Sequence, residues 1–157
     1  AGGSAPKHVQ QLKEENHLRW DSLGEFCALG ESLNFLAKTN DNPKAAILGK
    51  AVETATQELL DKNKSPSRKV GEEDNRTSHF YFSLYWARAL AKQKQNLEIS
   101  KHFEKIAKSL EEHENTIVEE LMAPQGKEVD LGGYYHTDPI KVRKIMRPSE
   151  TLNQIIP

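Results

Sequence analysis

The stretch SHFYFSLYWARALAK, residues 78–92, decides the fold, because it is apolar on nearly every side from Phe80 to Leu90. A helix without a polar face is buried inside a protein. The aromatic content makes a strand the competing interpretation for Phe80–Trp86. The alanines at 87, 89 and 91 and the length of the run favour a helix. We therefore expect a buried helix over Ser78–Lys92 as the central element of the fold.

Apolar residues recur at helical spacing on both sides of this stretch. Helix-capping signals, such as Asn42 before Pro43 and Ser149 before the last apolar residues, mark several of the helix starts. The pattern predicts helices over Ser4–Asn16, Trp20–Ala37, Pro43 to about Lys62, Ile99–Met122, Asp138–Met146 and from Ser149 onward. In residues 127–135, Val129 and Leu131 alternate with polar residues, which allows at most a short extended segment. The predicted fold class is mainly α.

Composition limits the classes of partner. The formal net charge of −1 provides no overall field for nucleic acid, so an anion site must be a local cluster of cations. No apolar run is long enough to predict a membrane span, and no signal-peptide pattern opens the chain. The single cysteine, Cys27, fits a reducing compartment, and we expect a cytoplasmic protein. Cys27 follows Phe26 on a helix, which is typical of a small core residue rather than a reactive thiolate.

A metal site is not predicted. No two of the six histidines lie four residues apart on a predicted helix, and Cys27 has no second cysteine beside it. His113 lies in the apolar stripe of the predicted helix Ile99–Met122, so we expect it to be a core or boundary residue.

Three places in the chain carry groups suited to phosphate. They are the start of the first helix, with Gly3, Ser4, Lys7 and His8; the LRWD segment, with Arg19; and the SPSRK segment, with Arg68. Two guanidinium groups and an imidazolium suit a phosphate monoester, because arginine offers forked, charge-assisted donors. Trp20 and Asp21 would serve a base by stacking and by accepting from an amino group. The competing interpretation is that Arg19 pairs with a surface glutamate and that the basic run Lys62–Lys69 is a solvated loop.

The opening residues AGGSAPKH are unusual for a soluble chain. Ser4 can cap a helix whose first turn contains Pro6, and glycines at 2 and 3 allow close approach of the backbone to a ligand. Lys7 and His8 then lie in the first helical turn, where the helix dipole disfavours cations. A bound anion would relieve that conflict, whereas a cloning remnant or a frayed terminus is the alternative.

Several long strings, in order, resemble one enzyme family. They are AGGSAPKHVQQ (1–11), LRWDSLGEF (18–26), NKSPSRKVGEEDNR (63–76), YWARALA (85–91), LGGYYHTD (131–138) and MRPSETLN (146–153). Together they resemble the C-terminal part of monomeric-type NADP-dependent isocitrate dehydrogenase, from Ala1 nearly to Pro157. The resemblance implies that residues 1–157 form one C-terminal segment of the NADP-binding large domain. It also implies that Ala1 is a cut point and that the opening glycines belong to a cofactor loop.

The resemblance implies roles for seven residues. Gly3 and Ser4 would lie against the phosphate and ribose region of the nucleotide. His8, Arg19 and Arg68 would hold the 2′-phosphate that distinguishes NADP from NAD. Trp20 and Asp21 would lie around the adenosine half.

The reaction implied is oxidative decarboxylation of isocitrate to 2-oxoglutarate with Mg2+ or Mn2+. The family's metal ligands, isocitrate-binding residues and acid–base groups lie upstream, so none is placed on this chain and the segment alone is expected to be inactive. The resemblance implies a monomeric full enzyme. We expect the 157-residue chain to expose apolar surface and to self-associate.

Two other hypotheses belong to different classes. One is a helical adapter module that binds an anion or nucleotide without catalysis. The other is a purely structural helical domain whose basic residues are solvated.

Overall fold

The structure, a computed structural model, describes residues 5–157, and these contain eight α-helices and no strand. The helices are α1 (Ala5–Glu15), α2 (Leu23–Thr39), α3 (Pro43–Asp61), α4 (Asn75–Lys92), α5 (Leu97–Glu112), α6 (Glu114–Met122), α7 (Pro139–Met146) and α8 (Glu150–Ile155). The predicted mainly α fold class is confirmed. Gly3 and Ser4 lie outside the described residues.

The chain forms two compact units. The first unit contains the residues up to Trp20, Pro66–Ser78 and His113–Pro157, and the second contains Asp21–Ser65 and His79–Glu112. The first unit is therefore built from three separate pieces of chain.

Three helix starts follow from local capping, as the sequence predicts. Asn42 Oδ1 accepts from the backbone N–H of Ala45 at 3.1 Å and begins α3. Asp138 Oδ1 accepts from the N–H of Ile140 at 2.8 Å and begins α7. Ser149 Oγ accepts from the N–H of Leu152 at 3.0 Å and begins α8. Each of these side chains satisfies a helix N–H that has no partner within its helix.

The predicted buried helix is confirmed as α4, which begins three residues earlier than expected. Asp74 Oδ1 accepts from the backbone N–H of Arg76 at 2.9 Å, so the start is set by a residue of the acidic run 72–74. Within the second unit, Leu84 and Leu90 of α4 are at most 1% exposed. Leu90 packs with Ile47 and Ala51 of α3.

Close packing of α2 against α3 depends on two glycines. A Cβ added at Gly30 would lie 3.2 Å from Val52 Cγ1, and one added at Gly49 would lie 2.5 Å from Asn34 Oδ1. The missing side chains let the two helix backbones approach each other. Phe26 of α2 also stacks on Phe82 of α4, with ring centroids 4.0 Å apart and ring planes 1° from parallel.

The prediction of one long helix over Ile99–Met122 is wrong. The helix is interrupted at His113, whose φ of −108° and ψ of 11° separate α5 from α6. Apolar spacing does not reveal the break, because the backbone N–H of Ile117 still donates to the His113 carbonyl at 2.9 Å and the apolar stripe continues. The interruption also leaves His113 exposed, so the expected core or boundary position is wrong.

The expected burial of Cys27 is wrong as well, since the thiol is exposed. Phe26 is only 5% exposed, and the next residue on a helix points about 100° away from it. Other apolar residues of α2 share this exposure, with Phe35 at 69% and Leu36 at 40%.

Residues 127–135 form an irregular segment. It closes the C-terminal end of α1, because the N–H of Val129 donates to the Lys13 carbonyl at 2.8 Å. Leu131 is buried within the first unit, at 5% exposure. Among residues 5–157, no helix is both apolar and long enough to cross a membrane.

A partly buried ion network in the second unit makes a pH-dependent contribution to stability. Arg88 binds Glu58 and also Glu111, with Nη1 3.3 Å from Glu111 Oε1, while Lys62 Nζ lies 3.1 Å from Glu58 Oε1. Burial raises the pKa of Glu58, but the hydrogen bonds and charges of Arg88 and Lys62 outweigh that effect and hold the pKa below its ordinary value of 4.5.

We expect Glu58→Gln to flatten the acid side of the stability profile of the 157-residue chain. A carboxylate with a lowered pKa in the folded state stabilises the fold above its ordinary pKa. That contribution is lost as the pH falls through the lowered pKa. The difference between wild type and variant should reach about 1 kcal/mol at most at neutral pH, since the pair is partly exposed. Urea denaturation at several pH values measures it, and parallel profiles for the two chains would contradict the assignment.

Candidate anion-binding site

Arg19 lies in the non-helical segment between α1 and α2. Asn16 ends α1 with a φ of 46°, a left-handed conformation that asparagine tolerates better than most residues. On either side of Arg19 the backbone is bound to residues at the start of α4. The N–H of Asn75 donates to the Leu18 carbonyl at 2.8 Å, and Asn75 Nδ2 donates to the Trp20 carbonyl at 2.7 Å. The Arg19 backbone is thus held in place while its side chain is only half-buried.

A buried ion pair lies beneath this segment. The side chains of Asp74 and Arg76 are 0% and 1% exposed, and Arg76 Nη2 lies 2.6 Å from Asp74 Oδ2. Asp74 Oδ2 also accepts from the N–H of Leu18 at 3.1 Å. The remaining guanidinium donors go to the Asn16 carbonyl at 2.7 Å, Asn16 Oδ1 at 2.8 Å and the Ile145 carbonyl at 2.9 Å. The contacts with Asn16 and Leu18 fix the backbone just before Arg19, and the contact with Ile145 joins the ion pair to α7.

His8 lies on α1 and packs against Trp20. The ring centroids are 5.0 Å apart and the ring planes are 78° apart, an edge-to-face contact. His8 Nδ1 is buried, and among residues 5–157 it finds no hydrogen-bond partner. A buried ring nitrogen without a partner is costly, which makes it a candidate for contact with a ligand.

Arg68 lies in an exposed turn of the first unit. The N–H of Ser67 donates to the Glu73 carbonyl at 2.8 Å, and the turn is completed by Gly71 at a φ of 87°. Gln11, one turn after His8 on α1, donates from Nε2 to the Arg68 carbonyl at 3.4 Å. In the first unit, α1 therefore contacts the Arg68 turn through Gln11 and contacts Trp20 through His8.

Two predicted positions are exposed and make local contacts. Asp21 is exposed, and its Oδ1 accepts from the N–H of Leu23 at 2.9 Å, which helps to begin α2 in the second unit. Lys7 is exposed, and its Nζ lies 3.5 Å from Gln10 Oε1.

A second basic region of the first unit borders a cavity of about 540 Å3. Arg143, Lys144 and Arg147 line it together with Glu150. Among the residues that the structure describes, no group of three histidine, cysteine or acidic side chains is placed to hold a metal ion.

Sequence reasoning missed the residues that hold the site together. Asp74 and Arg76 were part of a charged loop, His17 was one of six scattered histidines, and Gln125 stood in a helix-ending segment. The only local signal was the DNR string at 74–76, where the acidic run ends next to the start of an apolar helix. The partners of these residues are distant in sequence, so spacing alone does not identify them.

Residues 5–157 form an all-helical protein segment whose first unit carries the basic side chains of the candidate anion-binding site. The family model of monomeric isocitrate dehydrogenase matches residues 1–157, and the chain belongs to that family. The resemblance found in the sequence is thereby confirmed.

Three relatives illustrate the match. The chain is 59% identical over 156 residues to NADP isocitrate dehydrogenase 2 of Psychrobacter sp. (strain 13A) and 56% identical over 156 residues to NADP isocitrate dehydrogenase 2 of Colwellia maris. It is 57% identical over 153 residues to NADP isocitrate dehydrogenase of Azotobacter vinelandii. These alignments cover 98–99% of this chain and 21% of each relative, so the chain spans about a fifth of their length.

Proposed function

We propose that this chain is the NADP-binding part of an enzyme that oxidatively decarboxylates isocitrate to 2-oxoglutarate. The names of its relatives, all NADP isocitrate dehydrogenases, support both the cofactor and the substrate. The match over residues 1–157 favours an enzyme segment over an adapter module or a purely structural domain. The rest of the enzyme supplies the isocitrate site and the Mg2+ or Mn2+ ligands, and this segment alone is inactive.

Within the segment, His8, Arg19 and Arg68 bind the 2′-phosphate of NADP. The observation that carries this proposal is the buried Nδ1 of His8, which has no partner within residues 5–157. The α1 helix that presents this nitrogen also binds the Arg68 turn through Gln11. A protonated imidazole and two guanidinium groups would supply charge-assisted donors to a dianionic phosphate.

The other predicted site residues bind the parts of NADP beyond the 2′-phosphate. Trp20, whose ring contacts His8 edge to face, stacks on the adenine, and Asp21 contacts the same adenosine half. Gly3 and Ser4 precede α1 and bind the phosphate and ribose region. The segment belongs to the large domain of a monomeric, cytoplasmic enzyme.

The test is Arg19→Ala in the full-length enzyme. A hydrogen bond to a charged group contributes about 1.5–3 kcal/mol, and each 1.4 kcal/mol corresponds to about tenfold. The variant should therefore lower kcat/KM for NADP by about ten- to a hundredfold. NAD has no 2′-phosphate, so its kcat/KM should change by less than about twofold, well under 1.4 kcal/mol.

Lys69→Ala is the matched control, because it removes the cation next to Arg68 in the sequence. The Nζ of Lys69 lies 3.8 Å from Glu72 Oε1. Its side chain is 81% exposed, and it should leave the preference for NADP over NAD unchanged. Equal losses for NADP and NAD in Arg19→Ala would mean that Arg19 is structural, and the 2′-phosphate assignment would be wrong.

A further inference from the structure

His17 and Gln125 link the turn that carries Arg68 to the segment that carries Arg19. We call these two side chains, with their main-chain partners at Ser67, Gly71 and Glu72, the His17–Gln125 hub. All of its members belong to the first unit. None of them is among the residues that the family resemblance assigns to NADP.

The orientation of the Gln125 amide is fixed by two main-chain groups. Its Oε1 accepts from the N–H of Gly71 at 2.8 Å, and its Nε2 donates to the Glu72 carbonyl at 3.0 Å. A backbone N–H can only donate and a backbone carbonyl can only accept, so flipping the amide would break both bonds. Oε1 is therefore an acceptor toward any third group.

That third group is the fully buried ring of His17, which is 0% exposed. Its Nδ1 lies 3.0 Å from Gln125 Oε1, and its Nε2 lies 2.9 Å from the Ser67 carbonyl. Both partner atoms are acceptors, so the ring donates to either of them from a nitrogen that carries a proton.

Members of the hub lie next to both arginines in the sequence. Ser67 directly precedes Arg68, and His17 is two residues before Arg19. The same Gln125 amide holds Gly71 and Glu72, at the other end of the Arg68 turn. One imidazole ring and one amide thus fix both ends of this turn against the segment that leads to Arg19.

We propose that His17 and Gln125 are positioning residues that set the preference for NADP over NAD. They hold the Arg68 turn at a fixed place relative to Arg19, so that the two guanidinium groups are preorganised for one phosphate. Without the hub, binding would have to order an exposed turn, and the cost of ordering lowers affinity. The proposal rests on the assignment of Arg19 and Arg68 to the 2′-phosphate.

The first experiment is Gln125→Leu in the full-length enzyme. Leucine has no group for Gly71, Glu72 or His17, so the Arg68 turn loses its two bonds to residue 125 and His17 loses a third. We expect KM for NADP to rise about tenfold, which corresponds to about 1.4 kcal/mol, with kcat nearly unchanged. The kcat/KM for NAD should stay within about twofold, well under that energy.

Gln125→Glu is the conservative variant. A carboxylate still accepts from His17 and from the N–H of Gly71, and only the donation to the Glu72 carbonyl is lost. It should restore most of the NADP preference that Gln125→Leu loses. Equal NADP-to-NAD ratios in the leucine and glutamate variants would contradict a role for the His17 and Gly71 bonds.

Ser149→Ala separates positioning from simple loss of stability. Ser149 is also buried in the first unit, at 1% exposure, but it binds Glu120 Oε2 at 2.6 Å and the N–H of Leu152 at 3.0 Å. This variant should lower the melting temperature without changing the NADP-to-NAD ratio. If it changes the ratio as much as Gln125→Leu does, the hub acts only through stability and the proposal is overturned.

Arg68→Ala distinguishes failure of this proposal from failure of the proposed function. A loss of NADP preference in Arg68→Ala together with an unchanged preference in Gln125→Leu overturns the hub alone. An unchanged preference in Arg68→Ala overturns the phosphate assignment of Arg68, and the positioning role falls with it. Loss in both variants, with recovery in Gln125→Glu, supports the proposal.

Discussion

Replacing Arg76 with methionine should destabilise the 157-residue chain by about 3–5 kcal/mol, the range for breaking a buried ion pair by removing one partner. The change leaves the Asp74 carboxylate, which is 0% exposed, without its charged partner. It also removes the donors to the Asn16 carbonyl and side chain and to the Ile145 carbonyl. Methionine fills a similar volume, so the loss reflects charge and hydrogen bonding more than a cavity. Urea denaturation of variant and wild type measures the difference.

Two comparisons make this result specific. Arg143→Met makes the same chemical change at an exposed position of α7 and should alter stability by less than about 0.5 kcal/mol. Adding Asp74→Asn to Arg76→Met removes the unpaired charge and should recover part of the loss. A double variant as unstable as the sum of two independent losses would show that the two residues act separately.

Phe80→Ala should destabilise the same chain by about 3–5 kcal/mol, the range for removing a buried aromatic ring. Phe80 is 1% exposed on the buried helix α4, so the substitution leaves a cavity in the second unit. Phe35→Ala is the matched control, because that ring on α2 is 69% exposed. Thermal denaturation should place the Phe35 variant near wild type and the Phe80 variant far below it. Similar losses in both would mean that Phe35 is covered in solution.

A covered Phe35 would itself agree with the expected self-association of the chain. Phe35 and Leu36 present apolar surface on α2, and Cys27 is exposed on the same helix. That expectation stays a prediction, and the concentration dependence of the Phe35→Ala melting curve addresses it, since association stabilises a folded chain by mass action.

Sequence reasoning succeeded where the cause of the structure is local. The starts of α3, α7 and α8 depend on a capping side chain two or three residues from its partner, and all three were predicted. The burial of α4 follows from a run of apolar residues with no polar face. Both predictions depend only on residues close together in the sequence and not on the fold of the rest of the chain.

Prediction from the sequence failed where one local pattern is compatible with two structures. Apolar residues continue at steps of three and four residues through His113, although the helix is interrupted there. Cys27 adjoins the buried Phe26, yet the direction of the core from α2 decides which of the two is covered. The neighbours that settle such questions come from other helices.

Some residues of the candidate site could be predicted from the sequence, and others could not. His8, Arg19 and Arg68 were found as charged residues in suitable local settings and then through the family resemblance. His17 and Gln125 could not be found, because the bond between them joins residues 108 positions apart. A half-buried glutamine has no sequence pattern of its own, and the role of Gln125 follows only from the three groups that it contacts.

The three-piece construction of the first unit has a consequence for the order in which the protein is made. Chains emerge from the ribosome at about 5–20 residues per second and fold from the N-terminal side. The pieces of the second unit, Asp21–Ser65 and His79–Glu112, are complete before the last piece of the first unit begins at His113. Helix α1 and the Arg19 segment therefore cannot form their contacts with Gln125 and Ile145 until the last piece is made. Forming these contacts then closes a loop of about a hundred residues, which costs conformational entropy. Within residues 5–157, the segments that carry His8, Arg19 and Arg68 are all translated before Gln125, the residue that joins them.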